Sequence, residues 1–396
     1  MSRLRIFSVL LLTICARGGC HLPDITALIE LYNQTLGAQW ASNTHWQDSP
    51  TPCSMRARWF GVGFFDPCDR WRDGYECNIG RVSSIYLQRN GLRGLLSRWQ
   101  AVGELKNLSY LDLSWNSLSG SLPTELGSIS NLVFVDGSHN EISGSLPTQL
   151  GTLNVGNPGV CIQELALSHN ALSGFIPSDI AFLEGLERLD LQANRLSGSL
   201  PTALCSLPEL NALHLGENQL SGTVPTCLGS LGKLRYLDAA RNKLSGALPS
   251  SLGSVYVATS IHLSYNHFSG ELPSQLGKLR VLRSLKLNDN SFVGSIPSEV
   301  GSLGSLEVLD LFNNTLVGAI PSSIENLENL KLLYVDNENT EPLQQHYCRQ
   351  RLPNLRKYSW RILRDRYRQI ADSVCDESYD TSFTFSTLEE VTGFET

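Results

Sequence analysis

Nowhere in this 396-residue chain is there the run of ~20 apolar residues that a membrane-spanning helix needs. Strong positive charge is missing too. The 31 Lys and Arg against 38 Asp and Glu leave −7, too mild and of the wrong sign for general nucleic-acid binding. The marks of common catalytic sites are absent: no Walker motif, no His-Glu-x-x-His pair and no Gly-x-Ser-x-Gly elbow in a suitable context. Cys-x(2)-Cys spacing is absent, which removes the usual signature of a zinc site. The "GVG" at Gly61 to Gly63 has Asp66 where a phosphate loop would place its third glycine. No catalytic residue, metal or cofactor is expected. The 41% apolar content in turn excludes general disorder.

What is present points outside the cell. Arg3 and Arg5 precede an apolar run from Ile6 to Cys15 and then small residues, the layout of a secretory signal peptide cleaved after Gly18 or Gly19. Ten cysteines fit an oxidising compartment, and Asn33, Asn107 and Asn313 open N-x-S/T sequons. Charge is unevenly placed. Arg349, Arg351, Arg356, Lys357, Arg361, Arg364, Arg366 and Arg368 face Asp365 alone in the stretch 349–368, which is +7 and leaves −14 elsewhere.

The main signal is a repeat. Asn90, Asn116, Asn140, Asn170, Asn194, Asn218, Asn242, Asn266, Asn290 and Asn314 follow one another in steps of 26, 24 and 30 residues, then 24 throughout. A fixed period of this size means a solenoid whose units bury their apolar faces only against neighbours. In "EGLERLDLQANRLSGSLPTALCSL", Leu186, Leu189, Leu191 and Leu196 are spaced to point inward. Asn194 turns in as well, where its amide can satisfy backbone groups of adjacent coils. Gly198 permits a tight bend, Pro201 starts a short helical turn, and glycines such as Gly127 and Gly229 are expected to end it.

This "LxxLxLxxNxLSGxLPxxLGxL" unit resembles the plant-type leucine-rich repeat of receptor ectodomains and secreted hydrolase inhibitors, over residues 82–343. The stretches "ALIELYNQTLGAQWASNTHW" and "WFGV" are similar to the N-terminal cap of such proteins. The resemblance implies an α/β solenoid: a curved leucine-rich-repeat array of about ten units, with a parallel β-sheet on its concave face and a cap at each end. A signal peptide at 1–19 precedes an N-terminal cap at 20–81. There Asp24 is expected to cap a helix with apolar face Ile25, Leu28, Ile29 and Tyr32, and Gly37 follows its end. A six-residue insertion around 154–160 forms a loop on the ascending edge. The last copy decays, and residues 344–375 form a C-terminal cap. Trp360, Leu363, Tyr367, Ile370 and Val374 fall at helical spacing within it, so a basic amphipathic helix over 358–374 should cover the last coil. The acidic tail, 376–396, reads as disordered. Without a kinase or membrane span in the sequence, the receptor-kinase role does not carry over.

Positions six, four, two and one before each Asn are expected to face out on the concave side. The six-before column holds Tyr110, Phe134, Arg188 and Tyr236; the four-before column holds Asp112, Asp136, Asp190, His214, Asp238, His262 and Lys286. One place before come Trp115, His139, His169, Arg241 and Tyr265. Aromatic and cationic side chains on a rigid surface of roughly 40 Å suit a protein or peptide ligand. Aspartate four places before Asn is common in this repeat type and reads as a solvated consensus position. The alternation of Asp190, His214, Asp238 and His262 suggests pH sensitivity ahead of metal binding. A glycan at Asn313 would push binding toward the middle or N-terminal half.

The expected function is a secreted recognition module of the inhibitor or soluble co-receptor type, binding an extracellular protein or peptide. The alternatives are a structural wall- or surface-associated glycoprotein and a polysaccharide binder; no nucleic-acid partner is expected. Cys348 with Cys375 would staple the C-terminal helix to its cap. Cys205 and Cys227 lie two positions out of register on successive repeats, and their pairing resembles a cysteine arrangement of plant receptor-like proteins. Cys68 with Cys77 is the first choice in the N-terminal cap, leaving Cys53 paired elsewhere or free.

Overall fold

Most repeats begin with a three-residue strand whose middle aliphatic residue points inward, as Leu189 does in Arg188–Asp190. The computed structural model describes residues 22–42, 61–64, 81–153 and 160–335. The signal peptide, Cys53, Cys68, Cys77, the insertion at 154–159, the C-terminal helix, Cys348, Cys375 and the tail lie outside these residues. Within them, a 12-stranded sheet runs in chain order from Val62–Phe64 to Leu332–Tyr334. Its first pair is antiparallel and the rest are parallel, as in Arg188↔Ala212, Leu189↔Leu213 and Asp190↔His214. A second sheet of nine short strands, such as Arg195–Ser199, has one strand after each asparagine from Asn90 to Asn290. A five-residue 3-10 turn on the convex side then completes the coil, as at Thr202–Ser206.

The asparagine ladder fastens coil to coil. The Asn218 amide donates to the carbonyls of Leu191 at 2.9 Å, Leu215 at 3.2 Å and Gly216 at 3.1 Å, and its oxygen accepts the Leu196 N–H at 2.9 Å. Both amide hydrogens and the amide oxygen thus have partners, so burial costs little. Leu186, Leu189, Leu191 and Leu196 are all fully buried and join one continuous core.

Two local readings need correction. Gly127 and Gly229 do not end the 3-10 turns; they sit inside them, at Thr124–Ser128 and Thr226–Ser230. A Cβ at Gly127 would meet the Gln149 carbonyl oxygen at 2.0 Å, so the residue is glycine because the next coil's backbone passes too close. Asp24 is not a helix cap, because the helix Leu22–Gln34 starts before it. Its carboxylate accepts the Val82 N–H at 2.8 Å and pairs with Arg81 at 3.1 Å, tying the helix to the first repeat strand. Ala27, Leu28 and Leu31 are buried against that coil, and Trp99 Nε1 donates to the Ala27 carbonyl at 2.9 Å. Leu36, not Gly37, takes the left-handed conformation after the helix, with φ 56°. Gly37 instead makes room for the Tyr32 ring.

On the turn side of adjacent coils, Cys205 and Cys227 form a disulfide across Cα atoms 5.7 Å apart.

Candidate functional site

Strand register converts sequence columns into rows on the concave face. Ser84, Tyr110, Phe134, Glu164, Arg188, Ala212, Tyr236, Ser260, Ser284 and Val308 stand side by side, each paired with the next. The neighbouring row runs from Tyr86 through Asp112, Asp136, Ala166, Asp190, His214, Asp238, His262 and Lys286 to Asp310.

The aspartates of that second row are structural, not solvated. Asp112 accepts the Ser114 N–H at 3.0 Å, Asp136 the Ser138 N–H at 2.8 Å, and Asp238 the Ala240 N–H at 2.9 Å. Asp190 and Asp310 bond Gln192 and Phe312 in the same way. This turn, made by an aspartate with the N–H two residues on, folds the chain into the bend before each Asn. The position two before Asn was expected to face out, yet Ser114, Ser138, Ser168 and Ser264 are buried within that bend.

The residue one before each Asn is left-handed in every copy. Trp115, His139, His169, Ala193, Glu217, Arg241, Tyr265, Asp289 and Asn313 have φ between 51° and 56°. That turn lifts their side chains onto a rim beside the sheet. The column contains no Val, Ile or Thr, as left-handed backbone demands, a signal available in the sequence and not used.

Three regions follow along the face. At the N-terminal end, Tyr86, Tyr110 and Phe134 stack in series at centroid distances of 4.6 and 4.1 Å. Along the rim beside them, Arg89 lies 4.6 Å over Trp115, Trp115 is 3.7 Å from His139, and His139 is 4.2 Å from His169. Tyr86 and Arg89 were missed as site residues, although they hold the same offsets from Asn90 as Asp112 and Trp115 do from Asn116. In the middle, Arg188 pairs with Glu164 at 3.2 Å and Asp190 at 3.0 Å. His214 is recessed at 7% exposure, between Asp190 and Asp238 in register. Toward the C-terminal end Tyr236 is 40% exposed, and Arg241 lies 4.5 Å over Tyr265, itself 46% exposed. His262 Nε2 sits between Ser260 Oγ at 3.0 Å and Ser284 Oγ at 2.9 Å. Asn313 Nδ2 donates to Asp289 at 2.7 Å.

The electrostatics follow from depth. Burial pulls His262 down to about 3, helped by Lys286 and then His214. Burial also lowers His214 and, with His169 next in weight, His139. The carboxyls of Asp136, Glu164 and Asp238 are raised, in each case first by burial. Among the described residues no three His, Cys, Asp or Glu side chains converge as metal ligands. Two leucine-lined interior hollows measure about 10 and 20 Å³, far below the roughly 300 Å³ of a metabolite pocket. The surface itself is what offers chemistry.

Comparison with known proteins places the chain among similar folds. The sequence profile described as leucine-rich repeat matches residues 185–244, and a second of the same description matches 107–129, 161–183, 258–279, 281–303 and 305–327. The ectodomain of the Arabidopsis receptor kinase HAESA, solved with an IDA peptide hormone, is 30% identical with TM-score 0.65, over 82% of this chain and 50% of that one. A TDR receptor structure is 33% identical with TM-score 0.58, over 63% of this chain and 42% of that one. A plant ice-binding protein is 23% identical with TM-score 0.63, over 82% of this chain and 96% of that one, a likeness of fold alone. This chain therefore spans half or less of the length of these two receptor structures.

Proposed function

We propose that this leucine-rich-repeat chain, similar in fold to plant receptor ectodomains, is a non-catalytic recognition module binding an extracellular protein or peptide through its concave face. The observation that carries this reading is the set of exposed aromatic side chains (Tyr86, Trp115, Tyr236 and Tyr265) held on a sheet and rim of fixed spacing. Large aromatic groups and arginines with little conformational freedom to lose are the usual anchors of protein interfaces. Rigid spacing then sets specificity, because a ligand must match positions ~4.8 Å apart. The HAESA ectodomain, a similar fold, was solved with a peptide hormone, which favours a peptide or protein ligand. We read the chain as secreted and glycosylated at its sequons. No helix among the described residues is long and apolar enough to cross a membrane.

Two alternatives fare less well. Polysaccharide binding uses open aromatic faces, but the Tyr110, Phe134, Trp115 and His139 faces are covered by one another and present edges. A purely structural glycoprotein needs only bland, interchangeable concave residues, whereas these rows differ from strand to strand.

The test is titration of an identified partner against Tyr110→Ala, Arg188→Ala, Tyr236→Ala and Arg241→Ala, with Ser250→Ala on the convex side as control. At least one concave change should cost ~2 kcal/mol or more, and the control should cost almost nothing. Four concave variants that all bind like the unmodified protein would refute the reading.

A further inference from the structure

We propose that the rim side chains Arg89, Trp115, His139 and His169 form a subsite for one carboxylate of the partner, bound with proton uptake by the histidine pair. This deepens the concave-face reading and rests on it.

Four consecutive rim positions share an unusual property: none carries a negative charge, and each can donate. The Arg89 guanidinium has five N–H donors and the Trp115 indole has one, and neither can accept. Each imidazole donates once when neutral and twice when protonated. Arg89 is exposed, lies 4.6 Å over the Trp115 ring, and pairs with no carboxylate among the described residues. Trp115 is 40% exposed and His169 is exposed, so the edges of the stack remain open to a ligand. All four residues are left-handed, with φ of 52 to 56°, which fixes where the donors project.

The histidine pair supplies the pH dependence. Rings 4.2 Å apart repel when both are protonated, and Arg89 adds to that cost. Burial holds His139 low, while Asp190 alone pulls the other way. A carboxylate seated on the rim replaces repulsion with attraction, so protons and ligand bind together.

The acids close by define how small the anion must be. Asp112 and Asp136 occupy the adjoining row, with a carboxylate oxygen of each turned to the backbone N–H of Ser114 and Ser138. Glu164 and Asp190 bind Arg188. These groups do not block a single carboxylate on the outer edge of the rim, but they repel a polyanion lying across the sheet. An Asp or Glu side chain, or the terminal carboxylate of a peptide, fits; an acidic polysaccharide does not.

The test uses the full-length protein without its partner, so that its failure is separate from failure of the concave-face reading. Imidazole NMR signals would be followed from pH 8 to 5, assigned with His139→Gln and His169→Gln. The probes are N-acetyl-aspartate amide for a side chain and N-acetylglycine for a peptide terminus, against chloride at equal ionic strength. At least one probe should raise the His139 titration by about half a pH unit, roughly a threefold gain in affinity on protonation. Arg89→Ala should reduce that shift, and buried His262 should not respond. Titrations identical in chloride and in both carboxylates would overturn the proposal, as would an Arg89→Ala protein that responds like the unmodified one.

Discussion

At Asn218 one side chain makes four hydrogen bonds, two to the preceding repeat and two within its own coil, and its chemistry is sharply testable. At Asn218, replacement by Asp keeps the shape but turns a charged oxygen toward the Leu191, Leu215 and Gly216 carbonyls. Asn218→Asp should cost about 3 kcal/mol or more at neutral pH, as expected for an unpaired buried charge. Because the folded protein holds that new carboxyl protonated, its pKa is raised. The lost stability should therefore return as pH falls toward the unfolded value near ~4. Urea unfolding at pH 7 and pH 4.5 checks this; equal penalties at both would contradict it.

His262 has the opposite sign. Its folded pKa is depressed to about 3, so the unfolded chain binds the proton first, and stability is lost as pH falls from about 6.5 toward 3. His214 and His139 are lowered in the same direction. The raised carboxyls of Asp136, Glu164 and Asp238 act against this, favouring the fold as pH falls through the range just above their ordinary values. His262→Gln should flatten the loss between pH 6.5 and 5, before those carboxyls contribute. An unchanged pH profile in denaturant unfolding would mean that His262 is more hydrated than its place between two serines implies.

At the scale of the element, the bend between sheets is the least expected part. The periodicity of leucine and asparagine made the strands, the inward residues and the parallel stacking legible, because a period states which face a residue belongs to. It does not state depth. Asp112 and Asp190 fall on the predicted face yet are almost buried, since each bonds the N–H two residues on and neighbouring strands crowd it. Likewise, spacing made the rim residues legible as outward-facing, whereas their left-handed turn shows in the sequence only through the absence of Val, Ile and Thr from the column. The candidate site was thus readable as rows of residue types, while its stacks and ion pairs depended on side-chain directions that spacing does not encode. The left-handed bend makes its own prediction. Ala193, with φ 53°, should tolerate Asn but lose about 1–2 kcal/mol as Val, whose branched Cβ clashes in this conformation. Equal melting of Ala193→Asn and Ala193→Val would remove backbone strain as the reason for the column's composition.

For the whole molecule, stability is a sum over neighbouring coils, so a staple acts mainly where it is placed. The disulfide between Cys205 and Cys227 joins two central coils, and serine at both positions should cost ~2–4 kcal/mol, with the loss concentrated in hydrogen-exchange protection around 202–230. The same quasi-linear construction keeps the concave rows in register from Tyr86 to Asp310, which is the basis for assigning recognition to that face. The direct measurement is capture from the protein's own extracellular medium with three baits: the unmodified protein, the Ser250→Ala control, and a variant with Ala at Tyr110, Arg188, Tyr236 and Arg241, each checked for intact folding by circular dichroism. Recovery of the same partner by the first two baits and its loss from the third is the predicted result. Equal recovery by all three would contradict the assignment of binding to the concave face.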